Sequence, residues 1–321
     1  MKKLFCKENL CWLLLIVGVY GIILGLSAAG IIDAVVETVL QTIIINIILA
    51  VSLNLIIGIT GQFSLGHAGF MCVGAYCTGI MMKTVGGLPG FFVGILLGMV
   101  INVIIALIVA IPTLRLRGDY LAIATLGFGE IIRIIVLNME ITNGAAGMVL
   151  PKVTTFTLMY VFVVLALLII VNFGRSAAGR ACISIREDEI ASEAMGINTT
   201  KYKVIAFVIG ALVATWAGAL YAGNFYIIKP EMFTFNKSID ILVIVVFGGM
   251  GSITGSVIAA IVLGFINSFL QSFSGIRMII YGIALVLIMI FRPSGLLGTK
   301  EFTFSKLLSK FNKKEVKSWL S

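Results

Sequence analysis

The sequence predicts an all-α, polytopic membrane protein: a helical bundle of about ten (8–10) transmembrane helices with both termini cytoplasmic. Three observations carry that prediction. First, 60% of the 321 residues are hydrophobic and 12% are charged, with a mean hydropathy of +1.16, whereas soluble domains carry about a quarter charged residues. Second, the apolar runs are each roughly twenty residues long, the length a helix needs to span a ~30 Å hydrocarbon core. Third, the runs are apolar all round rather than at every second residue, which excludes a membrane barrel.

The first run, Leu10 to Ile32, follows Met1-Lys2-Lys3 and Lys7-Glu8, a basic head like that of a signal peptide. It is longer than a signal h-region and offers only Ser27-Ala28-Ala29 for cleavage, so it reads as a retained first span. Further runs fall at about 36–58, 66–83, 88–111, 119–138, 156–173, 203–223, 238–250, 253–272 and 276–291. Positive residues stay on the cytoplasmic side. The N-terminus, Arg115 and Arg117, the segment from Arg175 to Lys203 and everything from Arg292 onward hold 17 of the 23 basic residues. Lys83, Lys152, Lys229, Lys237 and Arg277 fall on the opposite side, and Arg133 lies inside a span. An even number of crossings, ten or eight, satisfies that distribution, and nine does not. The organisation expected is a transmembrane domain over 1–298 with a cytoplasmic loop at 175–203, and a basic tail over 299–321.

The net charge of +9 follows from this bias and from the tail, so it does not point to nucleic acid. In the tail Phe304, Leu307, Leu308 and Phe311 recur at helical spacing among lysines, the pattern of a helix lying on the anionic inner leaflet. Cys6, Cys11, Cys72, Cys77 and Cys182 contain no Cys-x-x-Cys, and the chain has one histidine. Neither a disulfide framework nor a metal site is indicated, and packing is the role expected for these cysteines.

The departures from plain apolar helix are where function is expected. Gly58 to Gly74, GITGQFSLGHAGFMCVG, puts five glycines and the polar side chains of Gln62, Ser64 and His67 at membrane depth or its edge. It reads either as a broken helix bordering a solute path or as a stretch of small residues that lets helices pack closely. His67 is either a satisfied packing residue or a solute contact. A second cluster, FGGMGSITG at 247–255, has Gly248 and Gly251 at the spacing of Gly66 and Gly69, the hint of an internal repeat. Neither cluster is a phosphate loop, because G-x-x-x-x-G-K-[ST] occurs nowhere in the chain, and ATP hydrolysis by this chain is not expected. Glu130 and Arg133 share a helix face in the fifth run. They read as a structural ion pair or as a gate, since a charge in the bilayer faces protein or water. Asp240 reads as a wetted helix start.

The hydrophilic segment Arg175 to Lys203 predicts a short cytoplasmic helix. Ser184-Ile185-Arg186-Glu187 fits a capping box, Asp188, Glu189, Ala191, Glu193, Ala194 and Met195 continue it, Gly196 ends it, and Asn198 caps the next span. A helix of about three turns outside lipid reads as a dock for a cytoplasmic partner or as a solvated connector.

GQFSLGHAGFMCVGAY at 61–76, PTLRLRGDYLAIATLGFGEIIR at 112–133, GRACISIREDEIASEAMGINTTKYKVIAF at 179–207, FGGMGSITG at 247–255 and FRPSGLLG at 291–298 resemble the inner-membrane permease family of branched-chain amino acid ABC transporters, LivM type. The resemblance covers nearly the whole chain and is less specific for the solute, because related permeases carry urea, amides or other amino acids. It implies a bacterial cytoplasmic-membrane location, a LivH-like second permease, two cytoplasmic ABC ATPases and an extracytoplasmic solute-binding protein. No cofactor is implied for this chain, and ATP is used by the partners. It also implies that Glu193-Ala194-Met195-Gly196 belongs to the loop that sits in a cleft of the ATPase, which carries a coupling role onto Arg186, Glu187, Asp188, Glu193, Ala194 and Gly196. The family often has alanine or arginine where Ser184 stands, so the capping box is particular to this chain. Gln62, Ser64, His67, Gly69, Glu130, Gly248 and Gly251 are the pathway candidates. The mechanism expected is alternating access, in which a helix at about 185–195 moves with the ATPases. An ion-coupled secondary transporter is the rival reading and needs intramembrane carboxylates, of which Glu130 is the one well inside a run. A membrane enzyme would need an acid–base or metal constellation that the runs lack.

Overall fold

The computed structural model describes residues 7–30, 32–113 and 119–270, with isolated positions between 282 and 298. The tenth predicted run and the basic tail lie outside the described residues. The chain divides into two compact units. Helix α1 (Lys7–Ala28) and the first turn of α2 (Ala34–Asn54) belong to one, and residues 39–299 form the other.

In the larger unit α2 is the central helix. Every residue from Ile43 to Thr60 is buried, as a run that is apolar all round requires when other helices surround it. It closes in one wider π-helical turn, Leu55–Ile59. Helices α3 (His67–Thr84) and α9 (Thr199–Asn224) pack on it, α6 (Phe156–Arg175) meets its end, and α4 (Gly87–Thr113) and α5 (Asp119–Asn138) pack in turn on α3. Exposed Leu96, Val100, Ile104 and Ile108 form a stripe at four-residue spacing on α4. Such a surface suits hydrocarbon rather than water.

The tightest packing joins α3, α4 and α9, and small residues make it possible. A Cβ on Gly218 would lie 2.0 Å from the Met71 carbonyl oxygen, and one on Gly74 would lie 2.4 Å from that of Thr215. Where the backbones approach so closely, Asn102 Nδ2 donates to the Phe70 carbonyl at 2.9 Å and to Thr215 Oγ1 at 2.6 Å. One α4 side chain thereby ties the other two helices.

Among the described residues five helical stretches are long and apolar enough to cross a bilayer: Ala34–Ile59, Gly87–Pro112, Tyr120–Asn138, Phe156–Arg175 and Thr199–Asn224. The eighth and ninth predicted crossings take a different form. Helices α10 (Phe235–Gly248) and α11 (Ile253–Leu270) are bent by 120° at the glycine cluster between them and count as a sixth span if taken together. At 14 residues α10 is about 21 Å long, too short to cross alone. Helix α3 is also no simple crossing, because it starts inside the protein. Opposite the hydrophilic loop, a two-residue antiparallel ladder joins β1 (Met148–Val149) to β2 (Ile227–Ile228), with Met148 opposite Ile228.

Candidate functional site

The first glycine-rich stretch is a re-entrant segment. After the π turn, Gly61 takes φ +71°, its N–H donates to the Ile57 carbonyl, and the Gln62 N–H donates to that of Ile56. Residues 61–66 then run into the bundle without helix or strand, with Gln62, Ser64 and Gly66 buried and Gly61 and Phe63 exposed in alternation. The start of α3 is pinned at depth. His67 Nε2 lies 2.6 Å from Ser52 Oγ, the Ala68 N–H donates to Ser238 Oγ on α10, and the Leu65 N–H donates to Thr125 Oγ1 on α5. Ser52 precedes Gly58 by six residues, so α3 begins about 9 Å inward from the break. Irregular backbone at that depth is tolerated because it is buried in protein.

Polar groups in this segment are unevenly satisfied. The Ser52 hydroxyl donates to the Leu49 carbonyl at 2.9 Å, so the His67 ring donates from Nε2. His67 Nδ1, both amide atoms of Gln62 and Ser64 Oγ are buried without a protein hydrogen-bond partner. Natural proteins leave few such groups unpaired.

The starts of α3 and α10 converge on one small, partly open cleft lined by Leu65, Gly69, Gly129, Glu130, Phe235 and Ser238 among others. Two pathway candidates, Gly69 and Glu130, thus share a wall. Glu130 Oε2 pairs with Arg133 Nε at 2.7 Å, while its Oε1 accepts the N–H of Phe235, the first residue of α10, at 3.0 Å. The carboxylate therefore caps the partly exposed start of α10 and complements its dipole. The sequence expectation of an ion pair missed this third partner.

The second glycine cluster lies at the hydrophilic-loop end of the bundle. Gly249 (φ +110°) and Gly251 (φ +95°) make the sharp turn between α10 and α11, and Gly251 meets the π turn of α2. Asn54 joins them: its Oδ1 accepts the Gly251 N–H at 2.8 Å, and its Nδ2 donates to the Ser252 carbonyl and to Ser256 Oγ. The matched glycine spacing does not reflect equivalent positions. Gly66 and Gly69 pack on Thr125 and Gly129 of α5, Gly248 packs on Gly255, and Gly251 packs on Gly58 and Arg186.

The hydrophilic segment is two helices, α7 (Ala177–Glu187) and α8 (Glu189–Ala194), in place of one. The capping box at Ser184 is overturned. Ser184 sits inside α7 with its hydroxyl on the Ala181 carbonyl, Ser176 caps α7 by accepting the Gly179 N–H, and Asp188 caps α8 by accepting that of Ala191. Asp188 competes successfully because its extended backbone breaks the helix where its carboxylate can serve the next one. Gly196 (φ +84°) closes α8, with its N–H on the Glu193 carbonyl, and Asn198 caps α9 by accepting the Lys201 N–H. Lys203–Glu189 at 2.6 Å and Thr199 Oγ1–Glu193 Oε1 at 3.1 Å fasten α8 to α9. Glu193, Ala194 and Gly196 are exposed beside Ile190 and Met195, which are 70% and 82% exposed. Arg186 points the other way, donating from Nη1 to the Gly58 carbonyl at 2.5 Å, with Glu187 Oε1 on its outer side. Burial pushes the Cys182 thiol of α7 up to about 11. Among the described residues no group of His, Cys, Asp and Glu is placed to hold a metal ion.

The residues that sequence reasoning passed over are Asn54, Ser52, Ser238 and Gly58 as a contact. Their signal was available: Asn54 and Ser52 are polar side chains in an otherwise apolar run.

Comparison with known proteins gives concordant results. Residues 35–291 match the family described as the branched-chain amino acid transport system permease component. The chain is 38% identical over 281 residues to the high-affinity branched-chain amino acid transport system permease protein LivM of Salmonella typhimurium, covering 76% of this chain and 66% of that protein. LivM of Escherichia coli gives the same identity and coverage. LivH of Escherichia coli is 25% identical over 288 residues, covering 78% of this chain and 91% of that protein. The chain spans just under two thirds of the length of the LivM relatives. No solved structure matches it.

Proposed function

The chain belongs to the family of branched-chain amino acid transport permease components, and from that premise we propose that it is the permease subunit of an ATP-binding cassette importer. Its solute is a branched-chain amino acid: leucine, isoleucine or valine. It sits in a bacterial cytoplasmic membrane with both termini inside. A LivH-like permease completes the pore, two ATPases drive it, and an external binding protein delivers the solute. This chain carries no ATPase site and binds no cofactor.

The observation that carries the reading is α8. It is capped at both ends and fastened to α9, yet it holds Ile190 and Met195 out with Glu193 and Gly196. Large exposed apolar side chains on a rigid hydrophilic helix mark a protein contact, and the family relation makes that contact an ATPase. The pathway runs past the cleft where α3 and α10 begin, with Gly69 and Glu130 in its wall and the unpaired polar atoms of Gln62, Ser64 and His67 nearby in sequence. An ion-coupled mechanism gains little from Glu130, whose two oxygens are held by Arg133 and Phe235.

The test is uptake of labelled leucine by the complex co-purified with this chain and reconstituted in liposomes. Uptake that needs both ATP and the binding protein is expected. Uptake driven by an ion gradient without ATP overturns the proposal, and ATP-dependent uptake of urea or an amide in place of leucine overturns the solute.

A further inference from the structure

The one basic side chain of α7 that turns into the bundle meets both glycine breaks at once. Arg186 Nη1 donates to the Gly58 carbonyl at 2.5 Å. Its Cγ lies 2.9 Å from where a Gly61 Cβ would stand, and its Nη1 lies 3.0 Å from the corresponding point on Gly251. Gly58 and Gly61 end α2 and open the re-entrant path to α3, and Gly251 turns α10 into α11. The Leu296 N–H donates to the Phe247 carbonyl, and Gly298 packs on Gly249, which brings Leu296 and Gly298 to the same knot. Segments far apart in sequence therefore meet around one guanidinium, and side chains supply much of what holds them.

We infer that Arg186 is a transmission residue: it pins the ends of the broken helices to α7, so that movement of the coupling segment is delivered to α2 and to the α10–α11 turn. This goes beyond docking, since the Arg186 side chain faces away from the exposed side of α8, and it rests on the importer reading above. The chemistry suits the task. A planar guanidinium can hold the Gly58 carbonyl with one nitrogen while Glu187 holds two others, Nε and Nη2. The carbonyl belongs to a π turn, where the regular i→i+4 bonding is already interrupted. Three glycines leave the room that the side chain fills, and a Cβ at any of them would displace it or its partners.

The experiment uses the reconstituted complex carrying Arg186→Ala, Arg186→Lys or the pair Gly61→Cys with Arg186→Cys. In the pair, the Arg186 Cβ stands 3.4 Å from the Gly61 Cβ position, close to the ~3.5–4.5 Å of a disulfide. Expected for Arg186→Ala is normal assembly with the ATPases, ATP hydrolysis no longer raised by solute-loaded binding protein, and leucine taken up per ATP reduced at least about fivefold, the lower end of allosteric coupling. Arg186→Lys keeps one donor and recovers part of the loss. The cysteine pair is uncoupled when reduced and recoupled when oxidised, which a merely structural role would not produce. Wild-type coupling in Arg186→Ala, loss of ATPase assembly in Arg186→Ala, or a cysteine pair indifferent to oxidation overturns the inference. If the wild-type complex itself shows no ATP-driven uptake, it is the importer reading that fails.

Discussion

Gly58→Ala is the sharpest perturbation the structure offers. A Cβ at position 58 would lie 2.0 Å from Asn54 Oδ1, 2.3 Å from the Gly251 nitrogen and 2.8 Å from its Cα. The Asn54 amide can rotate, at the cost of its bonds, but the Gly251 backbone cannot. Restoring 3.4 Å, the start of ordinary contact, requires 3.4 − 2.3 = 1.1 Å of separation between the end of α2 and the 249–252 turn. That movement opens the 2.8 Å bond from the Gly251 N–H to Asn54 and strains the Asn54 bonds to Ser252 and Ser256. Overpacking costs about 1–3 kcal/mol, and each hydrogen bond lost adds about 0.5–1.5 kcal/mol. A total of about 2–4 kcal/mol is expected, large enough to measure and small enough for insertion to survive. Thermal unfolding in detergent and uptake in proteoliposomes give the two readouts, with Gly127→Ala as the stability control because a Cβ there meets nothing within 4 Å. Gly58→Ala that unfolds with the control and transports like wild type would refute the reasoning.

Other predictions follow from the same contacts. Asn54→Asp loses two donors and sets a charged oxygen beside the Ser252 carbonyl; it should destabilise by at least about 1–3 kcal/mol, measured by the same unfolding assay. Glu130→Gln keeps an acceptor for the Phe235 N–H and should be milder than Glu130→Lys. The double reversal Glu130→Arg with Arg133→Glu should fail to restore uptake, because arginine cannot accept that N–H. A cysteine at Phe63, which is 36% exposed, should react with a water-soluble thiol reagent in the resting complex. Cysteines at Gln62 and Ser64 should react only during turnover, and reaction of all three alike at rest would contradict the alternation. Cys182 should stay unmodified, because its thiolate forms only as pH approaches about 11. Gly196→Pro should abolish uptake without preventing insertion, since proline cannot take φ +84°.

What could be read from the sequence depended on the range of the interaction. Run length and apolarity located the helices because lipid imposes them locally. Gly196 and Asn198 were legible because a helix end is decided within a few residues. Ser184 was misread for the same reason: serine followed three residues later by glutamate is a start signal only where no helix is already running, and here α7 begins at Ser176. Embedded helix starts were beyond local reading. Nothing near His67 in sequence announces that Ser52, Ser238 and Thr125 hold the start of α3, or that Glu130 caps α10 from another helix. The two glycine clusters looked alike, but their partners are non-local, and those partners distinguish a re-entrant strand of backbone from a hairpin turn.

The bundle thus contains two kinds of junction, and their difference argues for where movement occurs. The contact among α3, α4 and α9 is backbone against backbone through glycine, with Asn102 locking it; sliding there would drive main-chain atoms into one another. The knot around Arg186 is held by side-chain amide, hydroxyl and guanidinium bonds to turns of backbone, each worth about 0.5–3 kcal/mol net and each able to exchange its partner. Packed interfaces resist continuous deformation and switch between discrete arrangements. If the chain is an importer subunit as proposed, a push arriving through α7 and α8 would find a rigid trio to act as the stator. The end of α2, the re-entrant segment and the α10–α11 hairpin form the part that can re-register against it, so that Phe235 and Ser238 of α10 would shift across the cleft relative to Gly69 of α3.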